Sequence, residues 1–458
     1  MKEIKLFLAL NEEPLNEKKA IEDLTRRLNE QCAGGGICLK TVTEWTALAE
    51  AETDGGLYVF IFFKECETSF LARFEELLLA RKEKGTPRIA VYFKTTASTR
   101  PAKELKSLRE RLDNEQGCFC GEYAGEDELK FYVLMQICAL SEEPIVSCRD
   151  GVVTVNEAEL LPLGTIPAAR NNKDLIRLRG EYREAEGEYR VVRKAYDESE
   201  TDETRLLLQS AVKNKSGLRD EIEAIERGII TVSLNMAKRA AKGDASARER
   251  EVCRLFQKGD YKGVNAALSF SKIADDIKAR EKANDRAGLQ ASVNELILRA
   301  DILRAVALTP ESIAELERSL DEAARLEEAF DLPRNALYSR LVAQEEAQEY
   351  KQAEETAEQL LKYYGEQKDA SDEYRRAACL TLLACAQKKL LKDERCERTC
   401  ADALISIAPL AAKEPKKFYG LRLRLLGFLC EISYNKANYD AALGYSAAAV
   451  RNIDESAK

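Results

Sequence analysis

The chain has 458 residues, 45% hydrophobic and 33% charged, with only 23 Gly and 10 Pro. That is too long for one ordinary domain, and the composition suits helix-rich structure with substantial cores. Its net charge of −9 argues against nucleic acid or an anionic membrane as the main partner. It contains no His, which excludes Ser-His-Asp and Cys-His nucleophile pairs, His-ligated zinc and a His general base.

Residues 1–141 alternate short apolar runs with amphipathic stretches. Ile4–Leu10, Ile37–Val42, Leu57–Phe63 and Arg88–Phe93 are β-rich and almost continuously apolar, as strands covered on both faces are. Cys118–Tyr123 is a weaker fifth. Helical patterns lie between them: Glu17–Leu28 with Ile21, Leu24 and Leu28 inward, Phe70–Lys84, Lys103–Leu112 and Glu126–Leu140. Alternation with such short connections predicts a parallel sheet with right-handed crossovers. Ligands of such sheets bind beyond the carboxyl ends of the strands, here the loops after Leu10, Val42, Phe63 and Phe93.

Residues 142–173 read as a connector with one small hairpin turning at Asp150-Gly151. Residues 174–243 read as an antiparallel helical hairpin. Leu178, Tyr182, Ala185, Tyr189, Val192 and Tyr196 form one seam, and Leu218, Ile222, Ile225, Ile229, Val232 and Met236 form another of equal length. Residues 248–458 are helical and weakly repetitive. Tyr261 to Tyr350 and Tyr350 to Tyr439 are both 89 residues, and Glu394 takes the intermediate slot. This spacing resembles tetratricopeptide-type repeats with lengthened helices, which implies a curved solenoid with a concave surface for a protein or peptide. Because the seams read as locally satisfied, residues 174–458 are expected to fold without 1–141.

The 13 Cys are scattered and odd in number, unlike a disulfide framework. Cys118/Cys120 and Cys396/Cys400 lack a second ligand pair nearby and read as small buried residues, so no metal is expected. Met1-Lys2-Glu3 runs straight into a strand pattern, and no apolar run reaches the ~18–20 residues of a membrane span. A reduced, cytoplasmic protein with no membrane association is the expectation.

The successive segments IKLFLALNEEPLNEKKAIEDLTRRLNE, CLKTVTEW, YVFIFFKE and FEELLLARKEKGTPRIAVYFK resemble the motifs of bacterial Toll/interleukin-1-receptor (TIR)-like domains. The continuation VVTVNEAELLPLGTIPAARNN, followed by a hairpin and repeats, resembles the rest of bacterial proteins with that architecture. The resemblance implies a flavodoxin-like parallel sheet and cleavage of the nicotinamide–ribose bond of NAD⁺, which is then a substrate and not a cofactor. It also implies homo-oligomeric assembly and a role in bacterial defence or stress signalling. Where the family has small hydroxyl residues after the first strand, this chain has Ala9-Leu10-Asn11, and its acid, Glu44, precedes Trp45.

The candidate carboxylate is Glu75 or Glu76. Matching Phe74-Glu to the family's aromatic-Glu pattern selects Glu75, whereas counting back one turn from Ala80 selects Glu76. Adjacent helical residues point about 100° apart, so only one of them can face a pocket. Trp45, the only Trp, follows the second strand and suits stacking on a nicotinamide or adenine ring. Leu10, Asn11 and Glu12 follow the first strand, where they would meet ribose or phosphate oxygens. Lys64 and Lys94 end the third and fourth strands and suit pyrophosphate. As a bland alternative, Glu75 and Glu76 are solvated helix residues, Trp45 packs a helix on the sheet, and Asn11 and Glu12 serve a turn. The rival to an enzyme is a non-catalytic scaffold in which a degenerate TIR-like domain and the repeats mediate protein–protein interaction.

Overall fold

The computed structural model describes residues 2–10, 15–31, 37–43, 56–63, 68–95, 103–114, 118–140, 146–242, 245–306, 309–346, 348–366, 370–413 and 415–457. The first part runs β1 (Lys2–Leu10), α1 (Leu15–Gln31), β2 (Ile37–Val42), β3 (Leu57–Phe62), α2 (Thr68–Lys84), β4 (Arg88–Lys94), α3 (Lys103–Asn114), β5 (Cys118–Tyr123) and α4 (Glu126–Cys138). All five strands form one parallel sheet in the order β2-β1-β3-β4-β5. This is a doubly wound order whose direction reverses between β1 and β3.

Strand alternation divides the apolar runs between two cores. Ile4, Leu6, Leu8, Leu57, Val59 and Ile61 join the core that contains α1 and α4. Phe7, Ala9, Tyr58, Phe60 and Phe62 face α2 and α3. The second core is aromatic: Phe60 and Phe62 meet Phe70 and Phe74 edge to face, with ring centroids 4.8 to 5.6 Å apart. Ile21, Leu24 and Leu28 of α1 are buried as their spacing predicts.

The connector holds a three-stranded antiparallel sheet, β6 (Val146–Arg149), β7 (Val152–Val155) and β8 (Ala158–Pro162), then the short α5 (Pro167–Arg170). The predicted turn is present, with Asp150 at φ 51° and Gly151 at φ 78°, the left-handed pair that a tight hairpin uses. The third strand was not foreseen. Its turn rests on Asn156-Glu157, at φ 47° and 73°, and Glu is a weak signal for left-handed backbone.

Next come α6 (Lys173–Glu198) and α7 (Asp202–Lys242), packed as a hairpin. Asn172 caps α6 by accepting a hydrogen bond from the Leu175 amide at 2.9 Å. The arms are unequal, 26 and 41 residues. The excess length of α7 carries Ile229, Val232 and Met236 away from α6 and into the core shared with α4. Helix α4 is correspondingly buried at Leu129 and from Phe131 through Cys138, as a helix covered on nearly all sides must be. Polar groups mark the same junction. Buried Arg88 donates to Gln136 Oε1 and to the Ala237 carbonyl, at 2.7 and 2.9 Å. Tyr132 donates to the Gln257 carbonyl at 3.1 Å. The α/β part and the first helices therefore share one continuous core, contrary to the expectation of local satisfaction.

The remainder is helical: α8 (Ala247–Gln257), α9 (Tyr261–Ala267), α10 (Phe270–Ala283), α11 (Arg286–Arg304), α12 (Pro310–Ala329), α13 (Asn335–Glu346), α14 (Tyr350–Glu366), α15 (Ala370–Lys389), α16 (Asp393–Lys413), α17 (Pro415–Asn435) and α18 (Tyr439–Ala457). Tyr261, Tyr350 and Tyr439 each open a helix, and Glu394 is the second residue of α16. The capping residues explain two of these starts. Asp260 accepts from the Gly263 amide at 2.9 Å, and Asn438 from the Ala441 amide at 3.3 Å. From α11 onward each helix packs on the next. Cys396 and Cys400 lie inside this array, fully buried with their sulfurs 3.9 Å apart. Among the described residues, no helix is long and apolar enough to cross a membrane.

Candidate functional site

The carboxyl ends of the strands define the ligand-binding end of a doubly wound sheet. Leu10 ends β1, where it pairs with Ile61 of β3. Asn11, Glu12, Trp45 and Lys64, all singled out in the sequence, lie outside the described residues. The helical region approaches from one side: α7 and α8 pack against β5, and α8 also meets α3. Lys258 pairs with Glu122 of β5 at 2.9 Å, and a Cβ on Gly121 would lie 3.2 Å from Gln257. The β5 edge is thus occupied by helices.

Glu75 and Glu76 sit in the middle of α2. Their neighbours Phe74, Leu77 and Leu78 fill the aromatic core, which turns both carboxylates outward. They do diverge as consecutive helical residues must. Glu75 is ion-paired with Arg111 of α3, and Glu76 with Arg73 one turn earlier on α2, at 2.9 Å. Their side chains are 40% and 63% exposed, respectively, so neither is desolvated.

A different carboxylate is buried near the carboxyl ends of β4 and β5. Glu17, in the first turn of α1, is 2% exposed and is ion-paired with Lys94, the last residue of β4. The Tyr123 hydroxyl, from the last residue of β5, donates to Glu17 Oε1 at 3.3 Å. Burial first, and the Glu17 charge second, push the Tyr123 phenol well above its ordinary range. Lys94 also lies over the Phe63 ring, 5.2 Å from its centroid. The Thr95 hydroxyl and amide both donate to the Tyr123 carbonyl, at 3.1 and 2.8 Å. Lys94, read in the sequence as a pyrophosphate partner, is therefore engaged by Glu17.

Glu17 and Tyr123 were missed in the sequence, although a signal existed. Glu17 stands one turn before Ile21, on the same stripe as Leu24 and Leu28. An acid at the head of an apolar stripe implies a buried partner, but that partner comes from β4, 77 positions later in the chain.

The chemistry available at this end is a buried acid, a lysine and a tyrosine held in one hydrogen-bonded group, with the paired acids Glu75 and Glu76 on the opposite face of the sheet. Among the described residues, no cluster of acids and thiols has the arrangement of a metal site. No family model matches the chain, and no curated protein or solved structure is significantly similar to it.

Proposed function

We propose that the α/β domain is a TIR-like NAD⁺ hydrolase and that the helical repeats regulate it by binding a protein or peptide. One observation carries the reading: a five-stranded parallel sheet in the order β2-β1-β3-β4-β5, whose reversal between β1 and β3 is the customary position for a nucleotide. The residues that follow these strands in the sequence, Asn11, Glu12, Trp45 and Lys64, have the hydrogen-bonding, stacking and cationic groups that such a ligand uses.

The reaction is a glycosyl transfer through an oxocarbenium-like transition state. Nicotinamide bound to ribose already carries positive charge, so it leaves neutral and needs no general acid. A carboxylate beneath the ribose stabilises the developing cation and orients its hydroxyls, and water completes the hydrolysis. A chain with no His can perform these steps. Glu75 or Glu76 is the proposed carboxylate, and whichever serves must exchange its arginine, Arg111 for Glu75 or Arg73 for Glu76, for substrate.

The same two ion pairs favour the second reading, a non-catalytic scaffold, because a half-exposed carboxylate held by an arginine suits a protein contact. Incubation of the purified protein with NAD⁺ separates the two. Release of free nicotinamide, reduced ~10²–10³-fold by Glu75→Gln or Glu76→Gln in a folded variant, is the expected result. Wild-type turnover in both variants would refute the assignment of the carboxylate. No release by folded wild-type protein at any concentration would leave the scaffold.

A further inference from the structure

Helix α18 uses one apolar stripe and leaves another open. Ala442, Tyr445 and Asn452 turn toward α17: Ala442 and Asn452 are buried, and Asn452 donates to the Tyr419 carbonyl at 3.2 Å. Roughly 150° around the helix, at 100° per residue, runs a second stripe with the spacing of a helix–helix seam: Leu443, Ala447 and Val450. Leu443 and Val450 are 71% and 55% exposed. Tyr439 at the head of α18 is also exposed and packs edge to face against exposed Tyr434, extending the apolar surface. A Cβ on Gly444 would meet nothing within 4 Å. Earlier helices of the array, such as α16, have a neighbour on each side, whereas among the described residues α18 packs mainly on α17.

We propose that this face pairs with the same face of a second copy of the chain, as two antiparallel α18 helices about a two-fold axis. Two features select that occupant. Antiparallel pairing sets Leu443 against Ala447 of the second copy, large against small. The same register brings Asp440 beside Arg451 of the second copy, twice by symmetry. Both residues are exposed, and neither has an ion-pair partner among the described residues. Head-to-tail stacking offers no such reciprocal pair.

Light scattering during size-exclusion chromatography of the full chain, from low to high micromolar concentration, tests the pairing. The wild type is expected to approach twice the chain mass, and Leu443→Glu to stay at one chain mass with unchanged thermal unfolding. Asp440→Arg should also give monomer, by setting like charges together, and the double variant Asp440→Arg/Arg451→Asp should recover the dimer. A wild type that is monomeric throughout, with its α18 face left to an unrelated protein or exposed, overturns the proposal. A dimer that persists in both Leu443→Glu and Asp440→Arg also overturns it. The readout is mass alone and does not depend on the α/β domain being an enzyme.

Discussion

Glu327 illustrates how a single side chain can control part of the helical array. It is fully buried on α12, and its Oε1 accepts from the Asn335 and Ala336 amides at 2.7 and 2.8 Å, at the start of α13. Its Oε2 has no hydrogen-bond partner among the described residues. Burial pushes the carboxyl up to about 7, against the opposing pull of the two amides and the charges of Arg334 and Arg375. A folded-state value above the unfolded value near 4.5 means that the native protein holds this proton more tightly. The associated stability is complete below the unfolded value and is lost as pH rises through about 7. Urea midpoints should therefore fall between about pH 5 and about pH 8, by a contribution on the order of 1–3 kcal/mol. Glu327→Gln keeps the acceptor and removes the titration, so it should flatten that profile. An unchanged slope in the variant would assign the pH dependence to other groups.

At the scale of elements, α7 shows two regimes along one helix. Near its middle, a Cβ on Gly228 would lie 2.8 Å from Ala305 Cα and 2.9 Å from the Arg304 carbonyl oxygen, so α7 touches the end of α11 through backbone. Asn172 donates to the Ala305 carbonyl at the same junction, at 3.0 Å. Toward the tip of the hairpin, Gly187 of α6 and Gly217 of α7 have nothing within 4 Å of such a Cβ. Alanine is the better helix former by about 1 kcal/mol, so Gly187→Ala and Gly217→Ala should each stabilise the protein modestly. Gly228→Ala should instead destabilise it by about 1–3 kcal/mol, because backbone cannot step aside as a flexible side chain can. Thermal or urea unfolding of the three variants checks the contrast. A stable Gly228→Ala would mean that α7 and α11 do not pack this closely.

For the whole molecule, the shared core makes the helical region depend on the α/β part. Removing residues 1–141 deletes α4 and uncovers Ile229, Val232, Met236 and Phe256, which α4 and β5 help to bury. It also removes Arg88, whose guanidinium burial draws down to about 10 and whose donors fall on Gln136 and the Ala237 carbonyl. A fragment of 142–458 should remain helical by circular dichroism, since the later helices have cores of their own. It should, however, unfold at lower temperature and self-associate through the exposed face of α7. A monodisperse fragment with the melting temperature of the full chain would show that the junction contributes little.

The sequence by itself determined the elements whose causes are local. Nearly continuous apolar runs marked four of the five parallel strands, with Cys118–Tyr123 a weaker signal for the fifth, and Ile21, Leu24 and Leu28 marked the inner face of α1. Asp150-Gly151 marked one turn, and the recurring Tyr positions marked three helix starts, two of them behind capping residues. Candidate residues such as Asn11, Trp45 and Lys64 followed from their places after strands, as chemistry without geometry. What only the tertiary structure decided were relations between distant segments. The order of the strands, the diversion of α7 onto α4, and the pairing of Glu17 with Lys94 and Tyr123 each join residues far apart in the chain. Periodicity reports that a face must be buried, but every apolar partner satisfies it equally. The choice among partners is made by helix length, strand order and the few polar groups that must find one another when water is excluded.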